Sequence, residues 1–179
     1  MRNYLRDLSV EVVGSIIGGA ILALVFFICS DFVFKSPNLN GRWLMAKTVT
    51  ETQHDSYKDL IVLYEVVLRQ DGLRLSGTAE KVAEIHNGNS FKYDYEKRVR
   101  VELEGAIDRN YLSKDRVNIH WVEHGRKRDS SSLLQISRFN DEYMKGRYSS
   151  TVARSSGESE WARSPDLLTA IPENAADLF

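Results

Sequence analysis

The sequence predicts an all-β protein, an eight-stranded antiparallel up-and-down β-barrel preceded by an N-terminal transmembrane helix. Three observations lead to this prediction. An uncharged apolar run covers residues 12–29, strand-like segments without strong helical periodicity fill residues 42–163, and short turn sequences join these segments. Because a closed barrel has no exposed edge strands, it is favoured over an open meander, and a β-sandwich is the main alternative.

Residues 1–35 are predicted to be a short tail followed by the membrane-spanning helix. At a rise of about 1.5 Å per residue, the 18 uncharged residues 12–29, extended by residues 32–34, suffice for a bilayer core of about 30 Å. The run ends in the bulky sequence FFICSDFVF instead of a small-residue cleavage site. This ending favours a retained anchor over a cleaved signal peptide.

Small residues recur four apart within the apolar run. They form one smooth strip on the predicted helix, which consists of Gly14, Ser15, Gly18, Gly19 and Ala23. Such strips let helix backbones approach closely and favour association in lipid. The strip predicts homo-oligomerisation through the membrane helix, and an ordinary anchor that happens to contain glycine is the alternative.

Charge and cysteine content restrict the partners and the environment. The net charge is −1, so we expect neither DNA nor RNA as a partner. The single cysteine, Cys29, lies in the apolar run, and the remaining chain can form no internal disulfide. That is expected in a reducing cytosol and permitted in the periplasm. Basic residues flank the run on both sides and leave its orientation open, and we expect a cytoplasmic barrel.

Residues 36–41 are predicted to be a linker and residues 42–164 the barrel. The eight predicted strands cover residues 42–50, 60–69, 73–85, 97–108, 115–124, 132–139, 143–154 and 158–164. Asp-Gly, Asn-Gly and Ser-Gly sequences between some of these strands are typical of tight turns. Alternation predicts that the following side chains face inwards: Leu60, Val62, Tyr64, Val66, Leu68, Leu73, Leu75, Gly77, Ala79, Val99, Val101, Leu103, Ile107, Val117, Ile119 and Trp121.

The two ends of the barrel domain carry further signals. Trp43, in the sequence Gly41-Arg42-Trp43, resembles the Gly-x-Trp that opens lipocalin-like barrels, where the ring plugs the closed end. Arg138 and Arg163 are predicted to face inwards near that end, where they would pair with carboxylates or lie along lipid headgroups. A small barrel of the lipocalin or streptavidin type holds packed side chains or one small ligand. Residues 165–179 are predicted to be a flexible tail, either mobile or loosely docked on the barrel.

The candidate binding site is the barrel mouth farthest from the predicted membrane helix. Long loops meet there, at residues 51–59, 85–97, 125–131 and 155–157, and such loops commonly carry binding residues. The inward-facing positions, continued towards this mouth, place Lys81, Glu123 and Arg154 near the top, close to aromatic side chains. The predicted ligand-binding residues are Tyr64, Lys81, Trp121, Tyr148, Arg154, Arg126 and Arg128.

This predicted mouth combines cations with aromatic rings, to which Tyr93 and Tyr95 in a neighbouring loop contribute. Arginine and lysine match phosphate oxygens, and aromatic rings stack on bases. An anionic planar ligand such as a nucleotide is therefore expected. In the alternative the aromatic residues are core, Lys81 and Arg154 extend along the rim into water, and residues 125–128 form a solvated hairpin tip.

No combination of residues indicates catalysis. The histidines at positions 54, 86, 120 and 124 have no metal-ligand spacing with cysteine or acidic clusters. No glycine-rich phosphate loop or nucleophile motif occurs. We expect no enzymatic activity, no metal site and no cofactor.

Nearly the whole chain, up to Arg163, is accounted for by three predicted features. They are one glycine-containing span, a compact eight-stranded barrel, and a barrel mouth with cations and aromatic rings. In this architecture the chain resembles the membrane-anchored β-barrel effectors of bacterial cyclic-oligonucleotide-based anti-phage signalling systems (CBASS). The resemblance implies a single-pass protein of the bacterial inner membrane whose barrel binds a cyclic dinucleotide made after infection. It also implies that binding drives homo-oligomerisation and that the assembled spans disrupt the membrane.

Two other functional classes stay open at this point. A membrane-tethered, periplasmic carrier or sensor of an apolar small molecule would have a uniformly apolar mouth, and Lys81 and Arg154 count against it. A filled barrel would serve as an interaction module without any ligand.

Overall fold

The computed structural model describes residues 2–32, 37–110, 115–125 and 127–179. These residues form two compact units, Met1–Pro37 and Asn38–Phe179. The first unit contains one helix, and the second contains a β-barrel followed by a C-terminal segment.

Helix α1 (Arg2–Phe32) contains the apolar run. The side chains that the structure describes in it are those of residues 12–28, and all of them are exposed. A Cβ atom added at Gly14, Gly18 or Gly19 would meet open space. Within the part of the chain that the structure describes, no helix is both long and apolar enough to cross a membrane. The prediction of a helix is therefore confirmed, whereas the predicted membrane span is not found.

The second unit contains nine strands in its described residues. They are β1 (Gly41–Glu51), β2 (Ile61–Asp71), β3 (Arg74–His86), β4 (Asn89–Lys92), β5 (Val99–Asp108), β6 (Arg116–His124), β7 (Asp129–Phe139), β8 (Tyr143–Ser150) and β9 (Ser156–Ala162). Strand β4 lies in a predicted loop. It forms because Asn87 and Gly88 adopt φ values of 51° and 77°, which suit a tight hairpin turn that lays β4 along the end of β3.

The other eight strands close into a barrel in the order β1-β2-β3-β5-β6-β7-β8-β9. Every neighbouring pair is antiparallel, and β1 pairs with both β2 and β9, which closes the sheet. The predicted eight-stranded antiparallel barrel is thus confirmed, and the sandwich alternative is excluded.

The barrel interior is apolar along most of its length, and alternation predicted it well. Twelve of the sixteen predicted inward residues belong to one buried cluster, which also contains Leu39, Trp43, Met45, Val49, Leu134, Ile136, Met144, Tyr148 and Trp161. The assignment of Leu73 is wrong, because it lies in the turn between β2 and β3 and is 44% exposed. A β-bulge interrupts the pairing of β2 with β3. Leu63 pairs with Ala83 and Tyr64 pairs with Lys81, so Val82 is an extra residue in β3 and Lys81 remains on the inner face.

The C-terminal segment packs against the outside of the barrel, so the prediction of a flexible tail is wrong. Leu168 and Ala175 are each only 4% exposed. They belong to a second apolar cluster that contains the outward side chains of four strands, namely Leu44, Ala46, Leu63, Val82, Ala83, Ile85 and Ala162. The segment stays docked because it covers apolar surface that would otherwise face water.

A buried carboxylate fastens the same segment. Glu160, 2% exposed on β9, accepts hydrogen bonds from the backbone N–H groups of Thr169 at 2.8 Å and Ala170 at 3.0 Å. Lys145 Nζ lies 2.7 Å from its Oε1 atom. Burial acts to raise the pKa of Glu160, but Lys145 and Thr169 outweigh it and lower that pKa. The ion pair and amide bonds compensate the buried charge.

The end of the barrel where β1 begins is closed by packing. Trp43 is fully buried, and its Nε1–H donates to the Leu39 carbonyl at 2.9 Å. The Arg163 guanidinium lies 3.9 Å from the Trp43 ring centroid. It donates to the main-chain carbonyls of Asn38, Asn40, Arg42 and Asp141. Trp43 is thus structural as predicted, and the hydrogen bonds of Arg163 go to main-chain carbonyls instead of to a predicted carboxylate. The Arg138 side chain lies outside the described residues.

Candidate ligand-binding site

Towards the other end of the barrel, the inward positions become polar. We call "polar layer" the inward side chains that six different strands contribute there, namely Lys47, Tyr64, Lys81, Glu123, Ser132 and Tyr148. Each continues the inward alternation of its strand beyond the apolar core. Hydrogen bonds, an ion pair and a cation–π contact connect the members.

Lys47 is a deeply buried cation of the polar layer, 7% exposed. Its Nζ atom donates to Ser132 Oγ at 3.0 Å and lies 4.3 Å from the centroid of the Tyr148 ring. Among the described residues it forms no ion pair within 4.0 Å. Burial lowers the pKa of Lys47 to about 8, an effect that Glu123 partly opposes and Lys81 reinforces. The immediate partners of this cation are neutral, so its charge is available to an anion.

Lys81, by contrast, already has acidic partners. Its Nζ atom forms an ion pair with Glu84 and lies 4.0 Å from Glu123 Oε1. Burial acts to lower the pKa of Lys81, but Glu123 and Glu84 outweigh it and raise that pKa. The Tyr64 hydroxyl donates to Glu123 Oε2 at 2.9 Å, and burial together with Glu123 raises the pKa of Tyr64. Tyr64 therefore remains a protonated donor at neutral pH.

Aromatic rings form the wall beside and below the polar layer. Tyr64 and Trp121 meet edge to face with centroids 5.0 Å apart, and Trp121 meets Trp161 in the same manner at 5.9 Å. Burial raises the pKa of Tyr148, and the Ser155 hydroxyl opposes this effect. The site thus combines the buried cation of Lys47, which forms no ion pair with the described residues, with aromatic rings along its wall.

Four buried polar atoms inside the barrel have no hydrogen-bond partner among the described residues. They are Trp121 Nε1, Ser159 Oγ, Trp161 Nε1 and Tyr148 Oη, and the last of these still lies close enough to the Ser155 hydroxyl for that group to act on its pKa. Their residues lie on the inner faces of β6, β8 and β9, and Ser159 stands opposite Lys47 in the β1–β9 register. Buried N–H and O–H groups are nearly always paired in native proteins, so water or a ligand must supply the missing partners.

The structure brings together four of the seven predicted binding residues and places two others, Arg128 and Arg154, apart from them. Those inside the barrel are Tyr64, Lys81, Trp121 and Tyr148. Arg128 and Arg154 are exposed on loops, and Arg126 lies outside the described residues. Of the two loop tyrosines, Tyr93 lies 5.5 Å from Lys81 Nζ, whereas Tyr95 is 76% exposed.

The prediction that Arg154 faces inwards is wrong because β8 is shorter than its sequence pattern suggested. The strand ends at Ser150, and the chain then turns through Ala153 and Arg154, whose φ values are 51° and 43°. Left-handed backbone at two consecutive residues reverses the chain and ends the alternation on which the prediction depended.

Sequence reasoning missed Lys47, Ser132 and Ser159. In β1 the inward positions Trp43, Met45 and Lys47 alternate with outward residues that are also apolar, because the C-terminal segment covers that face. Alternation between polar and apolar residues is therefore absent from β1. The β1 sequence could still have indicated Lys47, since it lies two and four residues after Met45 and Trp43 on the face that Trp43 defines.

Outside the barrel, a groove of about 1170 Å³ is lined by exposed residues of both charge signs, including Arg69, Asp71, Glu104 and Arg147. Their charges are solvated, unlike that of Lys47, so the groove offers a weaker electrostatic attraction for an anion. Among the residues that the structure describes, no group of three or more His, Cys, Asp and Glu side chains is placed to hold a metal ion.

Comparison with known proteins assigns no family to the chain. No protein-family model matches the chain, and no curated protein matches it. The solved structure of a redesigned β-barrel, mFAP1, bound to DFHBI is similar with 9% sequence identity, and the match covers 70% of this chain and 94% of that chain. The TM-score of this match is 0.49.

Proposed function

We propose that the protein is a membrane-tethered sensor whose barrel binds an anionic, planar small molecule at the polar layer. In the anti-phage (CBASS) setting that its architecture resembles, this ligand is a cyclic dinucleotide. Binding promotes association of α1 helices in the bacterial inner membrane, and the assembled helices disrupt it. The barrel binds the ligand, the helices associate in response, and neither step requires catalysis.

The burial of Lys47 is the observation that carries this proposal. A cation inside an apolar barrel is costly unless an opposite charge compensates it, and a packed apolar side chain at that position would be more stable. Lys47 Nζ contacts the Ser132 hydroxyl at 3.0 Å and the Tyr148 ring at 4.3 Å, and Glu123 opposes its lowered pKa without forming an ion pair with it within 4.0 Å. A phosphate or carboxylate of a ligand would supply a counter-charge at shorter range.

The surroundings of Lys47 favour a ligand with flat as well as anionic parts. The rings of Tyr64, Trp121 and Tyr148 border the polar layer, and a base that entered the layer would stack on them. A second phosphate could reach Lys81 if that lysine exchanged Glu84 for the ligand, because the Lys81–Glu84 pair has partly exposed side chains, 15% and 27%. The polar character of the layer counts against a carrier of apolar molecules.

Features of α1 support the proposed association of helices in the membrane. Residues 12–28 are uncharged and exposed, and they cover about 25 Å of helix at about 1.5 Å per residue. In the sequence the uncharged run continues through Cys29, and Ser30 and Asp31 separate it from the apolar residues 32–34. The strip of small residues around Gly18 allows close approach of two helices. A ligand that binds the assembled form more tightly shifts the population towards it, and tethering in a plane raises the effective concentration.

Calorimetric titration of the full chain in mild detergent tests the proposal, with a panel of cyclic dinucleotides and a long-chain fatty acid as probes. We expect a cyclic dinucleotide to bind and Lys47→Met to weaken its binding roughly 10- to 100-fold, as for loss of a charge-assisted hydrogen bond. Arg154→Ala is the matched control, because it removes an exposed cation from a mouth loop and should leave affinity unchanged.

Two outcomes would overturn this function. Binding of the fatty acid without any cyclic dinucleotide would favour the apolar carrier. Binding of neither probe class would favour the filled barrel that acts as an interaction module.

A further inference from the structure

The barrel interior contains several hydrogen-bond donors that have no acceptor among the described residues. The indole N–H groups of Trp121 and Trp161 can only donate, and the hydroxyls of Tyr148 and Ser159 each have a proton to donate. The third tryptophan of the chain, Trp43, differs from them because its N–H donates to the Leu39 carbonyl at 2.9 Å. Unpaired indoles are therefore a property of this part of the interior.

These donors lie in one region beside Lys47. The rings of Trp121 and Trp161 are perpendicular, with centroids 5.9 Å apart. Ser159 lies two residues before Trp161 on the inner face of β9 and opposite Lys47 in register. The Tyr148 ring lies 4.3 Å from Lys47 Nζ. Five groups that can donate a hydrogen bond thus belong to inward residues of β1, β6, β8 and β9.

We infer that this group, the indole N–H groups of Trp121 and Trp161 with the hydroxyls of Tyr148 and Ser159, receives an oxyanion of the ligand inside the barrel, next to Lys47. The inference rests on the proposed function and specifies which chemical group is buried. Phosphate and carboxylate oxygens share the required chemistry, since both accept several hydrogen bonds and donate none when ionised.

Water fits this region less well than an oxyanion does. A water molecule that accepts from two indoles can place its own two hydrogens on the hydroxyl oxygens of Tyr148 and Ser159, but it brings no charge to balance that of Lys47. An oxyanion satisfies the donors without needing any acceptor, and its charge is balanced by Lys47.

Phenylalanine substitutions separate this role from a structural one. Trp121→Phe and Trp161→Phe keep an aromatic ring but remove an N–H that has no partner in the ligand-free protein. Without ligand, we expect the thermal midpoint of each variant to differ from that of the wild type by no more than a conservative core substitution causes. We expect each variant to bind inorganic phosphate about tenfold more weakly than the wild type does. Trp43→Phe is the control, since it loses a hydrogen bond to Leu39 and should lower the midpoint without changing phosphate affinity.

The decisive experiment follows the three indole N–H signals by NMR in the ¹⁵N-labelled full chain in detergent, during titration with inorganic phosphate, with acetate and with a cyclic dinucleotide. We expect saturable downfield shifts of Trp121 and Trp161 and no shift of Trp43. Absence of these shifts with every probe, or an equal shift of Trp43, would overturn the inference. If calorimetry shows that the cyclic dinucleotide binds but the indole N–H signals of Trp121 and Trp161 do not shift, this inference is overturned and the proposed function stands. Indole shifts with phosphate or acetate, together with no binding of the dinucleotide, would support the oxyanion site and refute the dinucleotide.

Discussion

Replacement of Lys47 by methionine is expected to stabilise the barrel at neutral pH while it weakens ligand binding. The ordinary lysine pKa of 10.5 falls to about 8 in the folded protein. This difference corresponds to about 3 kcal/mol by which folding disfavours the charged side chain. Methionine has a similar length and no charge, so Lys47→Met removes that cost. Loss of the hydrogen bond to Ser132 Oγ subtracts about 1 kcal/mol, which leaves a net gain of about 2 kcal/mol.

The pH dependence of this gain provides an internal check. Because the folded-state pKa of Lys47 lies below the unfolded value, the unfolded chain binds more protons between about pH 8 and pH 10.5. The cost of burying Lys47 is therefore fully present below pH 8 and disappears as the pH rises through 10.5. The stability difference between Lys47→Met and the wild type should shrink over the same interval.

Denaturant unfolding of the full chain in mild detergent, monitored by tryptophan fluorescence at pH 7 and pH 10, measures both effects. Lys127→Met, on an exposed loop, is the control and should change stability little at either pH. A wild type more stable than Lys47→Met at pH 7, or a difference independent of pH, would refute the reasoning. Either result would show that Glu123 compensates Lys47 and that the lysine is structural.

Three further predictions concern the rim, the tail and the helix. Lys81→Ala should weaken cyclic dinucleotide binding less than Lys47→Met does, because Lys81 must first leave Glu84, and calorimetry compares the two variants. Leu168→Ala should lower the free energy of unfolding by about 2–3 kcal/mol, since it opens a cavity under the docked tail, and an unchanged denaturation midpoint would contradict tail docking. Gly18→Leu should abolish ligand-dependent leakage of vesicles while it leaves ligand affinity intact, and full leakage would show that the small residues are incidental.

The strands and the interior could be predicted from sequence because period-two alternation is strong where one face meets water. In β5 the buried Val101 and Leu103 alternate with exposed Glu102 and Glu104, and the structure agrees. The same logic placed Tyr64, Lys81, Trp121 and Tyr148 inside the barrel. It predicted most of the candidate site for that reason.

The remaining features depend on long-range packing that local patterns do not contain. Lys47 escaped notice because the tail, more than a hundred residues later, covers the outer face of β1 and makes both faces apolar. The orientation of Arg154 depends on where β8 ends, which is set by the left-handed turn at residues 153 and 154. Tail docking itself depends on the buried carboxylate of Glu160 and its partners.

Proton linkage tests most directly the central claim that Lys47 holds an anionic ligand. At pH 8 about half of the Lys47 side chains are protonated in the free protein, and a bound anion would raise their pKa. Calorimetric titration of the full chain with a cyclic dinucleotide, in Tris and in Hepes at pH 8, should therefore show uptake of about half a proton per ligand, and Lys47→Met should show none. Binding without proton uptake, or with the same uptake in Lys47→Met, would contradict the account.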